Sequence, residues 1–318
     1  MEVIREKADM RAWSRRMRRD GKSLALVPTM GYLHEGHLSL VREARAHADV
    51  IVVSVYVNPG QFAPSEDLST YPSDLQGDLL KLSQSGVVQA VFCPTNLYDY
   101  DTPGPLSVPP RQRPSAGSGE EQAPVSCLEK EKGGGTHETW VRVERLEKGM
   151  CGASRPVFFR GVATVVTKLF HIVEPDVAVF GKKDYQQWRI ISRMVRDLDF
   201  AIEIIGSEIV READGLAMSS RNVRLSPRDR KQALSINKAL SEAKVHVSKG
   251  SVSSQELKDR IIQTVADAGG RIDYVEIVEQ ESLEHVEKIK CSVVICIAAW
   301  FGDVRLIDNI EIDVPAEK

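Results

Sequence analysis

The spacing of apolar positions changes along the chain. In the first part, short and nearly unbroken apolar runs alternate with stretches of helical period. Residues 23–27 form one such run, which Pro28 is expected to end. Residues 50–57 (Val-Ile-Val-Val-Ser-Val-Tyr-Val) form a second, rich in the β-branched residues that suit a buried strand. Residues 90–93, 177–180 and 202–205 supply three more. Residues 38–47 gather Leu38, Leu40, Val41 and Ala44 on one helical face, and another helix is expected around 185–196. Unbroken apolar strands separated by helices predict a parallel sheet covered on both faces. The fold class expected is therefore α/β, a Rossmann-like doubly wound parallel sheet over residues 1–206.

The last third has a different order. Residues 228–249 predict an amphipathic helix with Ala233, Leu234, Ile236, Leu240 and Ala243 on its apolar face. Ser253 and Glu256 have capping-box spacing for a second helix, which Gly269-Gly270 ends. Residues 272–278 alternate polar and apolar, and strands at 292–300 and 304–307 flank a turn at Phe301-Gly302-Asp303. This order predicts a smaller C-terminal α+β domain over residues 207–318. Between the two patterns, residues 101–138 are dominated by Pro, Gly, Ser and charge, and read as a flexible surface insertion.

A chain of 318 residues with 42% hydrophobic and 27% charged residues can bury a core without disulfides or metals. Its formal net charge of −3 gives no support to a nucleic-acid footprint. Five widely spaced cysteines, Cys93, Cys127, Cys151, Cys291 and Cys296, with no CxxC pair, point to a reducing compartment rather than a disulfide framework. The N-terminus carries no apolar signal core, and the most apolar stretch, 291–301, is too short to span a bilayer. The expected location is cytoplasmic, with no membrane partner.

The first segment that carries chemistry is Met30-Gly31-Tyr32-Leu33-His34-Glu35-Gly36-His37, where the first strand gives way to a helix. Ligands of doubly wound sheets lie outside the carboxyl ends of the strands. A helix N-terminus also offers free N–H groups and partial positive charge to a phosphate. His34 and His37 share one side of a helical turn, and Gly36 lets a ligand approach the backbone between them. Two imidazoles in this place predict a phosphate clamp. Bound zinc is the rival reading, but the spacing is not that of HExxH and no third ligand accompanies the pair.

A second segment, Met218-Ser219-Ser220-Arg221, puts two hydroxyls and a guanidinium in a polar loop, groups that can follow phosphates as their charge moves. The pairing with His-x-Gly-His resembles the nucleotidylyltransferase superfamily, relatives of class I aminoacyl-tRNA synthetases, with their HIGH-like and KMSKS-like motifs. Other segments narrow the resemblance: Val57-Asn58-Pro59-Gly60-Gln61-Phe62, Cys151-Gly152-Ala153-Ser154-Arg155-Pro156, Phe159-Arg160-Gly161-Val162, and Phe180-Gly181-Lys182-Lys183-Asp184-Tyr185-Gln186-Gln187. In this order they resemble the pantothenate synthetase (pantoate–β-alanine ligase) family, plant members best, over nearly the whole chain outside 101–138.

The resemblance implies condensation of pantoate with β-alanine, with ATP as co-substrate and Mg2+ accompanying its phosphates, by way of a pantoyl adenylate. It places Met30, Gly31, His34, Gly36 and His37 along the ATP, with both histidines on phosphates. Gly181 and Asp184 would hold the ribose, Lys183 the phosphates, and Val210 the adenine through its backbone. Met218, Ser219, Ser220 and Arg221 would close over the triphosphate. Gln61 and Gln187 would hydrogen-bond pantoate, and Gln61 would also meet β-alanine. His37, His34, Lys183 and Arg221 would carry catalysis, and the protein would be a homodimer.

Two positions depart from the family pattern. Phe158 stands where bacterial relatives commonly have His, and Ser73 where they often have Arg. Asp74 and Asp78 read as exposed helix acids, with a water-mediated hold on magnesium as the second reading. Two other functions are kept open: an adenylyltransferase acting on a phosphorylated acceptor, which needs a second anion site, and a non-catalytic nucleotide-binding scaffold.

Overall fold

The computed structural model describes residues 1–98, 126, 137–250 and 253–314; the insertion read at 101–138 lies almost wholly outside them, as does Cys127. In chain order the first part comprises β1 (Glu2–Ile4), α1 (Lys7–Arg19), β2 (Leu24–Thr29), α2 (Glu35–His47), β3 (Val50–Val55), α3 (Leu75–Gln84) and β4 (Ala90–Phe92). It continues with α4 (Met150–Ser154), α5 (Phe158–Val173), β5 (Val177–Gly181), α6 (Tyr185–Asp197) and β6 (Glu203–Ser207). These strands form one six-stranded sheet, ordered β1-β4-β3-β2-β5-β6, and every pairing is parallel. The β-branched run of β3 is buried at all but its last residue, as a strand covered on both faces must be.

From β2 the chain winds outward through β3 to β4, then returns to build β5 and β6 on the other side of β2. The connections after β2 and β5 therefore diverge, and a crevice opens between their carboxyl ends. That crevice positions the site.

Two sequence expectations need correction here. Pro28 does not end β2, which runs on to Thr29 with Pro28 opposite Ser54 of β3. Pairing of β2 with β5 stops at Leu26, so Pro28 removes no ladder bond on that side. The helix α5 was not expected, although Arg160, Thr164, Thr167, Lys168 and His171 fall on one stripe at helical spacing while twelve of its sixteen residues are buried. It is buried between the sheet, α1 and α6.

The smaller part comprises α7 (Pro227–Ser248), α8 (Ser254–Asp267), β7 (Arg271–Glu279), β8 (Val293–Phe301) and β9 (Val304–Ile312). Its three strands form an antiparallel sheet ordered β7-β8-β9. Ser226 caps α7 through the Asp229 N–H, and Ser253 caps α8 through the Glu256 N–H at 3.4 Å. Ala233, Ile236, Leu240 and Ala243 of α7 are buried against this sheet's core, with Leu234 at its margin. The two parts are tied by polar contacts. Lys182 reaches Glu311 at 2.7 Å, and Asn309 donates to the Lys182 carbonyl at 2.8 Å; within the smaller part's leading segment Arg211 makes a two-pronged ion pair with buried Asp308 at 2.7 and 3.0 Å.

Candidate active site

The connection after β2 is held from beneath by α3. Gly31 adopts φ +85°, and Tyr32 follows with φ 51°. The Asp78 carboxylate accepts the N–H groups of Tyr32 at 2.8 Å and Leu33 at 2.6 Å, while Lys81 Nζ donates to the Leu33 carbonyl at 2.7 Å. Asp78 is thus a buried clamp and not an exposed helix acid, and burial pushes its carboxyl up. Asp74 is exposed and caps α3 through the Gly77 N–H at 2.9 Å.

This clamp delivers His34 as the N-cap of α2. Its Nδ1 accepts the Gly36 N–H at 3.1 Å, and Nδ1 of His37 accepts the His34 N–H at 3.3 Å. A nitrogen that accepts carries no proton in the neutral ring, so both rings hold theirs on Nε2. The rings lie 4.1 Å apart between centroids. Burial, helped by Lys183, lowers the His34 pKa to about 4. Burial, with His34 and Lys183 beside it, lowers that of His37 to about 3. Both rings are neutral near pH 7, so each supplies an N–H dipole. Net positive charge is left to other groups.

Lys183, in the turn Lys182–Asp184 after β5, lines the same cavity. Its ammonium makes no hydrogen bond or ion pair among the described residues, whereas Lys182 is tied to Glu208 and Glu311. Adjacent lysines are thereby sorted into one structural and one open cation.

The loop Met218–Arg221 lies over α2. Ser220 Oγ donates to the Tyr32 carbonyl at 3.3 Å, and Ser219 accepts the Arg221 N–H at 3.2 Å. The Met218 N–H donates to the Val210 carbonyl at 3.0 Å, which leaves the Val210 N–H as the backbone group offered to the cavity. Arg221 is not open. Its guanidinium grips Asp67 at 3.1 and 3.2 Å, and Arg224 shares that carboxylate at 2.7 Å. Burial raises the Asp67 carboxyl, but the two guanidiniums outweigh it and hold the group below the usual range.

At the other end, Gln61 is buried and accepts from Asn58 Nδ2 at 3.0 Å. Asn58 is fixed by donating to the Gly161 carbonyl at 3.1 Å and accepting from Tyr98 OH at 2.6 Å. The Gln61 NH2, with Met30 Sδ beside it at 3.3 Å, is thereby aimed at the cavity. A Cβ on Gly161 would stand 2.2 Å from the Gly60 carbonyl oxygen, so α5 reaches this turn only because position 161 is bare. Phe158 is buried beneath the Arg155 guanidinium at 3.8 Å, and Arg155 is also paired with Glu66. Ser73 is exposed and away from the cavity lining.

Together these groups surround a cavity of about 260 Å³. Met30, His34, Gly36, His37, Gln61, Gly181, Lys183, Asp184, Gln187, Val210 and residues 218–221 line it; Gly31 shapes the turn behind it. Asn58, Tyr98 and Asp67 were not expected. Asn58 stands within a motif already singled out; Tyr98 and Asp67 come together with the site only through the fold. Among the described residues no three His, Cys, Asp or Glu side chains converge as a metal site.

The model of the family described as pantoate-beta-alanine ligase matches residues 2–311. The pantoate–β-alanine ligase of Arabidopsis thaliana is 66% identical over 314 residues, 98% of each chain, and that of Oryza sativa subsp. japonica is 66% identical over 316 residues, 98% of this chain and 97% of its own. The pantothenate synthetase of Thermus thermophilus superposes with a TM-score of 0.82 at 37% identity, covering 99% of this chain and 100% of its own. The Francisella tularensis ligase solved with β-γ ATP and β-alanine does so at 0.72 and 27% identity, covering 98% of this chain and 97% of its own. With one cavity built from the motifs at the ends of β2 and β5, and with relatives matched from end to end, the chain belongs to the pantoate–β-alanine ligase family.

Proposed function

We propose that the protein joins pantoate to β-alanine with consumption of ATP, in two steps within the cavity between β2 and β5. The observation that carries this reading is the pair of Nε2–H groups on His34 and His37 beside the open ammonium of Lys183. Pantoate ionises near pH 4 like other carboxylic acids, so its carboxylate needs no base to attack the α-phosphorus of ATP. An acyl–oxygen–phosphorus bond forms, the α–β bridge breaks, and pyrophosphate leaves. The site must position the reactants and meet charge on the phosphate oxygens. His37 and His34 do so as neutral donors, and Lys183 does so with full charge. Arg221 joins them once the phosphates compete it away from Asp67. In the second step the amine of β-alanine attacks the acyl carbon and AMP leaves.

Gln61 and Gln187 would hold pantoate, and Gln61 would then meet β-alanine. Gly181 and Asp184 would face the ribose, and the Val210 N–H the adenine. Magnesium keeps waters and phosphate oxygens alongside one or two carboxylates. Asp184 lines the cavity but is assigned to the ribose, and Asp78 has both oxygens engaged by backbone N–H groups, so the ion would rest on phosphate oxygens and waters. When bound, the ion would neutralise the departing pyrophosphate. The wider reading, carried by the resemblance and by the unpaired, widely spaced cysteines, is a cytoplasmic homodimer whose part beyond residue 206 acts as a lid; no helix among the described residues is long and apolar enough to cross a membrane. A phosphorylated acceptor would need a second open cation, but Arg155 at the pantoate end is already paired with Glu66.

The test is pyrophosphate exchange without β-alanine. Label from pyrophosphate should enter ATP only when pantoate is present. Exchange that ignores pantoate, or no exchange at all, would overturn the reading.

A further inference from the structure

Asn309 lies on β9 of the smaller part, yet its side chain reaches across to the turn that carries Lys183. It is only 4% exposed. Its Nδ2 donates to the Lys182 carbonyl at 2.8 Å and to the Lys183 carbonyl at 3.0 Å. A primary amide carries two N–H groups on one nitrogen, and here both are engaged by successive carbonyls of one turn. The turn Lys182–Asp184 has no side-chain cap of its own. The backbone of Asn309 is itself held: its main-chain N–H donates to the Asp308 carboxylate at 2.8 Å, while Asp308 grips Arg211.

The Lys183 side chain has no polar partner among the described residues that would direct it. Its course into the cavity is therefore set by where its backbone is anchored. We propose that Asn309 is a positioning residue for Lys183, fixing the turn so that the ammonium meets the nucleotide phosphates. Asn309 does not line the main cavity but a smaller pocket adjoining it, where its amide NH2 is spent on the turn, so its influence on the main cavity runs through Lys183. The assignment rests on the proposed role of Lys183 as a phosphate contact. It makes β9 a structural part of the nucleotide site, although that strand belongs to the other sheet.

A double-mutant cycle on the full-length protein tests it, read as the dissociation constant for ATP. Asn309→Ala removes two buried hydrogen bonds to the turn and should weaken ATP binding about 10- to 100-fold when Lys183 is present. In a Lys183→Ala background the same change should cost about twofold or less, because the group it positions is gone. Asn309→Asp keeps the size but turns an oxygen toward the two carbonyls. It should weaken binding at least as much, with the same dependence on Lys183, and serves if the alanine variant does not fold. A mere glue between the two sheets would give equal losses in both backgrounds, and that result would overturn the assignment. Wild-type protein that binds no ATP would overturn it together with the role of Lys183. Wild-type binding with no pantoate-dependent exchange would instead count against the ligase reading alone.

Discussion

Gly36 donates its backbone N–H to Nδ1 of His34 at 3.1 Å, and that contact decides which edge of the imidazole meets the cavity. His37 is fixed in the same sense by the His34 N–H. The local chain thus uses two free N–H groups of a helix N-terminus to orient rings, and the rings carry the donor function further into the cavity.

The protonation of these rings follows. With pKa values near 4 and 3 in the folded protein, both stay neutral down to about pH 5. Nitrogen NMR of the imidazoles should find both as Nε2–H tautomers at pH 7, and pyrophosphate exchange should show no histidine inflection between about pH 5.5 and 8. A step near pH 6.5 that disappears in His37→Ala would contradict this. Stability carries the same signature. Unfolded histidine binds protons from about pH 6.5 downward. The folded rings resist until about pH 3 to 4, so the two histidines should cost stability progressively as pH falls through that window, and nothing above it. Urea unfolding of wild type and His37→Ala at pH 7 and pH 5 measures the difference, which should favour the variant more at pH 5.

A methyl group at position 36 tests the geometry without touching a titratable group. A Cβ there would sit 2.9 Å from Nδ1 and Cε1 of the His34 ring, which must swing away. Exchange in Gly36→Ala should fall on the order of 100-fold, the scale of a misplacement near 1 Å. The fold should survive, since the clash is with a side chain and not backbone. Wild-type exchange would show that the position of His34 does not matter.

Asp67 occupies the Arg221 guanidinium that the proposed mechanism turns to the phosphates. Asp67→Asn should release the guanidinium and tighten ATP binding about two- to fivefold, in keeping with a partly exposed ion pair. Weaker ATP binding in this variant would mean that Asp67 holds Arg221 in its working position.

The second step has its own pH dependence. The amine of β-alanine ionises near pH 10 and arrives mostly protonated. If solvent removes that proton, reaction of preformed pantoyl adenylate with β-alanine should quicken through the neutral range as pH rises. A flat profile would point to a base within the protein.

Much of this site was legible because its residues sit in local motifs at strand ends. His34-x-Gly36-His37, the Lys183 turn and residues 218–221 each follow an element that the apolar pattern predicts. What escaped depends on long-range partners. Nothing near Asp67 in sequence announces that it will hold Arg221, 154 positions away. Asn58 stood in a motif, yet its role as the brace for Gln61 needs Tyr98 and Gly161 beside it. Asp78 reads as a surface acid because helical spacing cannot show that two unpaired N–H groups wait beneath it. The strand β2 outruns its expected end at Pro28 because its neighbour β5 stops pairing first. The helix α5 escapes although Arg160, Thr164, Thr167, Lys168 and His171 share one stripe, because its run of Val and Phe residues reads as strand by residue type.

The central claim concerns where phosphate oxygens rest, and a structure of the protein with a non-hydrolysable ATP analogue measures that directly. Phosphate oxygens should lie within about 3.2 Å of Nε2 on both His34 and His37, with the Lys183 ammonium on the same phosphates and Nδ1 of each ring still bound to backbone N–H. A triphosphate seated elsewhere in the cavity, with either imidazole flipped or beyond hydrogen-bonding reach, would contradict the account.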